Sequence, residues 1–266
     1  MEEIIRKARE NDKETLKALW VECFPKDVEY SEFFFEKIYK KNCAVLFEES
    51  GEILGMIHSF PRTLMTPEGA VSAKYIYGVG TAKKARGRGV AGRLLLSEEK
   101  DCDVLLLIPQ NESLFAFYEK YGFLNLSKVS KREVSPNGKA DIRLAEERDI
   151  AYLNGVYERE LEGTLFATRD SDTWRLLMSE YAFLGGGFAV FRGGYCAYYE
   201  EAGRLFITEF FSNGATEEEV AGAFEKNATV TSKGGETPLA VLKPVSEKGR
   251  ELLEKYPDRY INLMHN

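Results

Sequence analysis

The sequence predicts an α+β protein built as two successive domains, residues 1–134 and 140–266, each a mixed, mostly antiparallel sheet flanked by helices. Three observations carry this. At 266 residues the chain exceeds the roughly 100 to 200 of one domain. Its halves begin alike, since Ile5, Arg6, Ala8, Glu10 and Asp12 recur as Ile142, Arg143, Ala145, Glu147 and Asp149, each time ahead of an amphipathic helical pattern. The strands come in runs joined by hairpin turns, which favours mixed sheets over alternating βαβ units.

In the first copy Asn11 and Glu14 have the spacing of a capping box, and Leu16, Leu19, Trp20 and Cys23 then share one helical face. A second helix is expected from about Tyr30 to Lys40. Strands follow near Ala44 to Phe47, Ile53 to Leu64 and Val71 to Thr81, with Glu49 to Glu52 and Pro67 to Gly69 as turns. A helix from Val90 to Lys100, a buried strand from Val104 to Ile108 and a helix from Ser113 to Lys120 complete the first copy. Ser135 to Lys139 forms a turn-rich linker. The second copy places Leu153, Val156 and Tyr157 on its first helix, adds a helix near 171–182 and strands near 187–192, 194–200 and 204–211, and ends on a helix from Thr216 to Asn227.

A net charge of −7 and a pI near 5.2 oppose binding to nucleic acid or an anionic membrane and suit a cationic substrate. The first residues lack a basic-then-apolar leader pattern, and no apolar run approaches the roughly 20 residues of a spanning helix, so a cytoplasmic protein is expected. Cys23, Cys43, Cys102 and Cys196 are scattered and predict free thiols. With His58 and His265 as its only histidines the chain predicts no metal site. Oligomeric state is not legible.

The most informative segment is Arg86-Gly87-Arg88-Gly89-Val90-Ala91-Gly92, between a strand and a helix. A helix N-terminus offers unpaired N–H groups and partial positive charge, glycines let a phosphate come close, and Arg86 and Arg88 add charge-assisted hydrogen bonds. Three explanations fit the loop alone. Gly87 to Gly92 match G-x-G-x-x-G, with Glu112 about 20 residues on, as in dinucleotide sites, although Ala82 to Arg86 separate the loop from its strand. A surface turn that merely caps a helix is the second. The third takes in the surroundings: Arg86-x-x-Gly89-x-Ala91 fits R/Q-x-x-G-x-G/A, and Asn111 followed by Phe117-Tyr118-Glu119-Lys120-Tyr121-Gly122-Phe123 comes at the matching distance. The ordered pair resembles the GNAT superfamily of coenzyme A-dependent N-acyltransferases, closely over about 50 residues and in fold from residue 1 to about 134.

That resemblance implies an acetyltransferase using acetyl-CoA as co-substrate, with an amine as acceptor. It implies that Val79, Gly80 and Thr81 lie on a strand that splays from its neighbour and binds the thioester carbonyl and pantetheine, the Val79 amide being catalytic. Arg86, Gly87, Arg88, Gly89, Val90 and Ala91 hold the pyrophosphate, Asn111 contributes to the cofactor site, and Tyr118 faces the sulfur as donor to the leaving thiolate. His58 is a candidate base, directly or through water, or a structural histidine; Glu112 and Glu209 are further candidates. Tyr30, Phe33, Phe34 and Phe35 fall where the family shapes its acceptor site.

The second copy has Ser212-Asn213-Gly214-Ala215-Thr216 and then Glu217, Glu218 and Glu219 where the loop would fall, acids that would repel a pyrophosphate. One competent domain followed by a degenerate one is similar to tandem-GNAT proteins of the enhanced intracellular survival type. The sequence stops at Asn266 without their sterol-carrier-like third domain or C-terminal carboxylate, so their aminoglycoside specificity is not carried over. A tandem-GNAT aminoacyl or acyl transferase with another donor, and a non-catalytic acyl-CoA-responsive binding protein, remain alternatives.

Overall fold

The structure is a computed structural model and describes residues 2–263. The chain begins with strand β1 (Glu3–Lys7) and helices α1 (Lys13–Cys23) and α2 (Val28–Phe33), the last continued by a π-helical turn, Phe34–Ile38. Then come β2 (Ala44–Glu49), β3 (Glu52–Thr66), β4 (Gly69–Thr81), α3 (Val90–Ser97), β5 (Val104–Leu107) and α4 (Glu112–Glu119). They are followed by β6 (Leu124–Val134), β7 (Ile142–Leu144), α5 (Ile150–Glu160), β8 (Leu165–Ala167), α6 (Ser171–Phe183), β9 (Gly187–Phe191), β10 (Gly194–Glu201) and β11 (Arg204–Ser212). The last elements are α7 (Glu217–Phe224), β12 (Ala228–Lys233), β13 (Thr237–Pro244), α8 (Glu247–Lys255) and β14 (Arg259–Tyr260). The class is α+β, as the hairpin runs predict.

Two compact units result: Met1–Leu64, Ala70–Asn125 and Val241–Lys255 in the first, and Met65–Gly69, Leu126–Ala240 and Tyr256–Asn266 in the second. Strand order in the first is β1-β2-β3-β4-β5-β13, and in the second β7-β9-β10-β11-β12-β6. Both are one pattern. Antiparallel strands lead to a single parallel pair, β4 with β5 or β11 with β12, and an antiparallel strand closes the unit, β13 on β5 or β6 on β12. The closing strands are exchanged along the chain: a division by chain order at 134 and 140 assigns β6 to the first unit and 241–244 to the second, whereas proximity places them the other way round.

The recurring Ile-Arg-x-Ala-x-Glu-x-Asp pattern has a physical cause. β1 and β7 are edge strands, and each leads through one 3₁₀ turn, Glu10–Asp12 or Glu147–Asp149, into α1 or α5. Arg6 Nη1 bonds Asp12 Oδ2 at 2.6 Å and Arg143 Nη2 bonds Asp149 Oδ1 at 2.6 Å, while each Asp also accepts a backbone N–H, from Arg9 or Glu146. Asp12, not the Asn11 and Glu14 pair, therefore secures the entry to the first helix. The apolar faces are buried as predicted through Leu16, Leu19 and Trp20 on α1 and Leu153, Val156 and Tyr157 on α5, with Cys23 half-buried.

The arginine bonds hold both aspartates below the usual carboxylate range. A depressed folded-state value means that the contribution to stability is complete above the unfolded value near 3.9 and is lost as pH falls through the folded value. Asp149→Asn should cost about 1 to 2 kcal/mol at pH 7, and the gap to wild type should close as pH falls from 4 toward 2. Urea unfolding across that interval checks this; a constant gap would assign the loss to shape rather than charge.

Candidate functional site

The site of the first unit is built around the end of β4. Its register with β5 runs from Ala73 against Val104 to Tyr75 against Leu106 and stops there, while β4 continues to Thr81. The parallel strands part, leaving residues 76–81 without β5 beside them. A bulge adds to the divergence. Gly78 has φ +58°, and the Tyr75 and Tyr77 rings lie 5.7 Å apart on one face, yet Cβ atoms at Gly78 and Gly80 would point to that same face. Four residues in that spacing share a face only if one extra residue is inserted, which is what a bulge does. A Cβ at Gly78 would stand 2.5 Å from the Trp20 ring and 3.1 Å from His58 Nδ1, and one at Gly80 would meet Met56 at 3.0 Å and Cys23 at 3.1 Å. The family resemblance implies the split, and the strand pattern of the sequence gives no sign of the bulge, because Gly78 follows an alternation that looks unbroken.

Beyond Thr81 a 3₁₀ turn, Lys83–Ala85, leads to the glycine loop. Gly87 and Gly89 have φ +77° and +75°, and a Cβ on either would meet no protein atom. The two glycines supply left-handed backbone and leave the space outside open. No side chain caps α3, and its first turn holds no acid. Arg86 lies back on the strand, its Nε 3.3 Å from the Thr81 carbonyl, and Arg88 is engaged by Glu49, so neither guanidinium stands unpaired over the loop. Val90 is buried and Ala91 half-buried. Gly92 serves packing instead, because a Cβ there would lie 2.3 Å from the Tyr121 ring; its bareness admits the end of α4 against α3.

That contact brings the two signatures together. Tyr118 lies one turn before Tyr121, whose N–H bonds the Tyr118 carbonyl, and its ring packs edge-on to Phe117 and Phe123 at 5.1 and 5.8 Å. The side chain is 6% exposed, its hydroxyl makes no hydrogen bond among the described residues, and burial pushes the phenol up to about 12. Asn111 is the exposed residue before α4 and accepts the Ser113 hydroxyl at 2.7 Å. Glu112 is exposed in the first turn.

His58 lies on β3 behind the bulge, fully buried, with Phe34 edge-on at 4.8 Å and Trp20, Phe35 and Tyr39 at 5.7 to 6.1 Å. Burial pushes the imidazole down to about 3. The nearby Tyr77 backbone offsets this only in part, and no protein group meets hydrogen-bond geometry at either ring nitrogen. The ring is therefore neutral at pH 7 and a weaker base than a free imidazole, whereas a general base works best with a pKa near the operating pH. Leaving such a group unpaired in the interior costs about 1 to 3 kcal/mol. Phe33, Phe34 and Phe35 are buried, and the Tyr77 hydroxyl donates to that of Tyr30 at 3.0 Å.

The second unit has the same strand split and has filled it. β11 pairs with β12 only as far as Ile207 against Val230, then continues to Ser212. The chain's own residues 260–262 enter there: Ile261 N–H donates to Ser127 Oγ, and Asn262 Nδ2 donates to the Thr208 carbonyl, both at 3.0 Å. Glu209 is locked in place by a two-bond contact with buried Arg169 at 2.7 and 2.8 Å and by the hydroxyls of Tyr195 and Tyr260, which removes it as a candidate base. The Arg169 guanidinium lies over the rings of Tyr157 and Trp174 at 3.9 and 4.9 Å. At the start of α7, Thr216 and Glu219 cap each other reciprocally, so that helix end is satisfied by its own side chains.

Among the described residues no group of three His, Cys, Asp or Glu is placed to hold a metal ion, and no helix is long and apolar enough to cross a membrane. Residues 4–124 match the family model described as an acetyltransferase (GNAT) domain. No curated protein matches the sequence. A conserved protein of Enterococcus faecalis V583, described as a probable N-acyltransferase, is similar over 94% of this chain and 74% of its own, at 14% identity and TM-score 0.74. A GCN5-related N-acetyltransferase from Anabaena variabilis is similar over 92% and 73%, at 14% identity and TM-score 0.72. Eis1 from Mycobacterium abscessus is similar over 91% and 74%, at 14% identity and TM-score 0.63. At these identities the likeness is one of fold, and it spans both units. The family match runs through the split strand, the glycine loop and the Tyr118 helix, so residues 4–124 are a GNAT-type domain by that match, and in fold the chain is similar over both units to the acyltransferase structures named above.

Proposed function

We propose that the first unit transfers an acetyl group from acetyl-CoA to an amine, and that the second unit does not bind coenzyme A. The observation that carries this is the conjunction of a β4 that runs on over residues 76–81 past its pairing with β5, an uncapped glycine helix start and a tyrosine hydroxyl unbonded among the described residues in one unit, against a split bridged by residues 260–262 and a self-capped helix in the other. Pyrophosphate would sit at Gly87 to Ala91 on the N–H groups of α3. Arg86 and Arg88 would add charge after Arg88 leaves Glu49. The pantetheine would run along Val79, Gly80 and Thr81 past Asn111, with the thioester carbonyl on the Val79 amide.

In the reaction the amine nitrogen bonds to the thioester carbon, the C–S bond breaks, the sulfur leaves as thiolate, and the amine surrenders a proton to solvent. Tyr118 serves the leaving sulfur as a hydrogen-bond donor. With its phenol near 12, full proton transfer to a thiolate of ordinary pKa near 8.5 would be uphill by about 3.5 pH units, roughly 5 kcal/mol. Calorimetry should find one coenzyme A per chain, and release of free thiol should depend on an added amine in a screen of polyamines, amino acids, aminoglycosides and peptides. Two equivalent coenzyme A sites would overturn the assignment of the second unit. Binding without turnover of any amine would favour an acyl-CoA-responsive binding protein.

A further inference from the structure

The polar centre behind the bulge is unexplained by packing. Trp20 Nε1, Tyr39 Oη and both nitrogens of His58 are buried without a protein hydrogen bond, although the Trp20 and Tyr39 rings both lie within about 6 Å of the imidazole. The elements packed against the imidazole contribute Trp20 from α1, Phe34, Phe35 and Tyr39 from the π-helical turn and the residue after it, Phe60 from β3, and Tyr77 with Gly78 from β4. None of these side chains is charged. A phenylalanine at 58 would complete an all-aromatic cluster and remove two unpaired atoms, so the fold by itself selects against histidine here. The four groups are chemically complementary to something small. A neutral imidazole has one donor and one acceptor, an indole one donor, and a phenol both, which is a set that a water molecule with two of each can join. Of these groups His58 Nδ1 and the six-membered ring of Trp20 lie against Gly78 of β4, the residue before Val79.

We propose that His58, Trp20 and Tyr39 hold water behind the Gly78 bulge and that this water orients the acceptor amine toward the thioester, which makes His58 a positioning residue. The inference rests on the acetyl transfer proposed above. His58→Phe should raise Tm by a few degrees, leave coenzyme A affinity within about twofold, and lower kcat at least tenfold with the KM for acetyl-CoA unchanged. His58→Gln, which keeps a donor and an acceptor, should recover most of the lost kcat, and Trp20→Phe should lower kcat in the same sense. Wild-type kcat in His58→Phe would overturn the proposal. A Gln variant as slow as the Phe variant, or a fall in activity that tracks a lowered Tm, would do so by showing a structural role. A wild-type protein that acetylates no amine would instead overturn the proposed activity and this inference with it.

Discussion

Replacing Tyr118 by Phe is expected to lower kcat by roughly 100- to 1000-fold, the usual cost of about 2.7 to 4 kcal/mol for losing one donor to developing negative charge in a preorganised site. The ring stays, with its edge contacts to Phe117 and Phe123, and among the described residues the hydroxyl has no partner whose bond could be lost. Thermal stability should therefore hold or rise slightly. Affinity for acetyl-CoA should change little, because a ground-state thioester sulfur is a poor acceptor, so the defect should sit in kcat. Single-turnover rates under conditions where chemistry is limiting decide the matter. A variant within about threefold of wild type would make Tyr118 a packing residue.

Gly89→Glu is expected to abolish coenzyme A binding while the protein remains folded. At φ +75° any L-residue is strained by about 1 to 2 kcal/mol, but the open space around the position means that a side chain displaces no protein atom, so the fold should survive with a modestly lower Tm. The carboxylate would occupy the place where a pyrophosphate meets the N-terminus of α3, with like charge. Gly89→Asn separates the two effects, since Asn tolerates left-handed backbone and brings no charge; it should weaken binding far less. Calorimetry with unchanged affinity in the Glu variant would move the pyrophosphate away from this loop.

The parts of the site that could be read from the sequence are those whose chemistry is local. A glycine-rich strand-to-helix turn and a tyrosine seven residues after Asn111 are defined over a few positions, and the Gly92 and Tyr121 contact packs their two helices together. What escaped depends on partners far away in sequence. The Gly78 bulge is visible only against Trp20 and His58, the engagement of Arg88 only through Glu49, and the filling of the second split only through residues 260–262. The second helix changes from α to π geometry at Phe34, where three consecutive buried aromatics leave no polar face to mark the periodicity. Strands β7, β8 and β14 run three, three and two residues, too short for any alternation to emerge.

The exchange of closing strands has a temporal consequence. β5, Val104-Leu105-Leu106-Leu107, is fully buried once Val241 to Pro244 lie along it, with Ser246 bonded to Asp103 and Lys243 to Glu99 at the same edge. A ribosome adding about 5 to 20 residues per second reaches that strand on the order of ten seconds after β5 is made. During that interval the nascent first unit carries its family match, residues 4–124, complete in sequence yet presents a four-residue aliphatic edge to whatever chains surround it. A gene cut after residue 125 would make that interval permanent, so a chain ending there would leave the β5 edge without the strand that pairs with it.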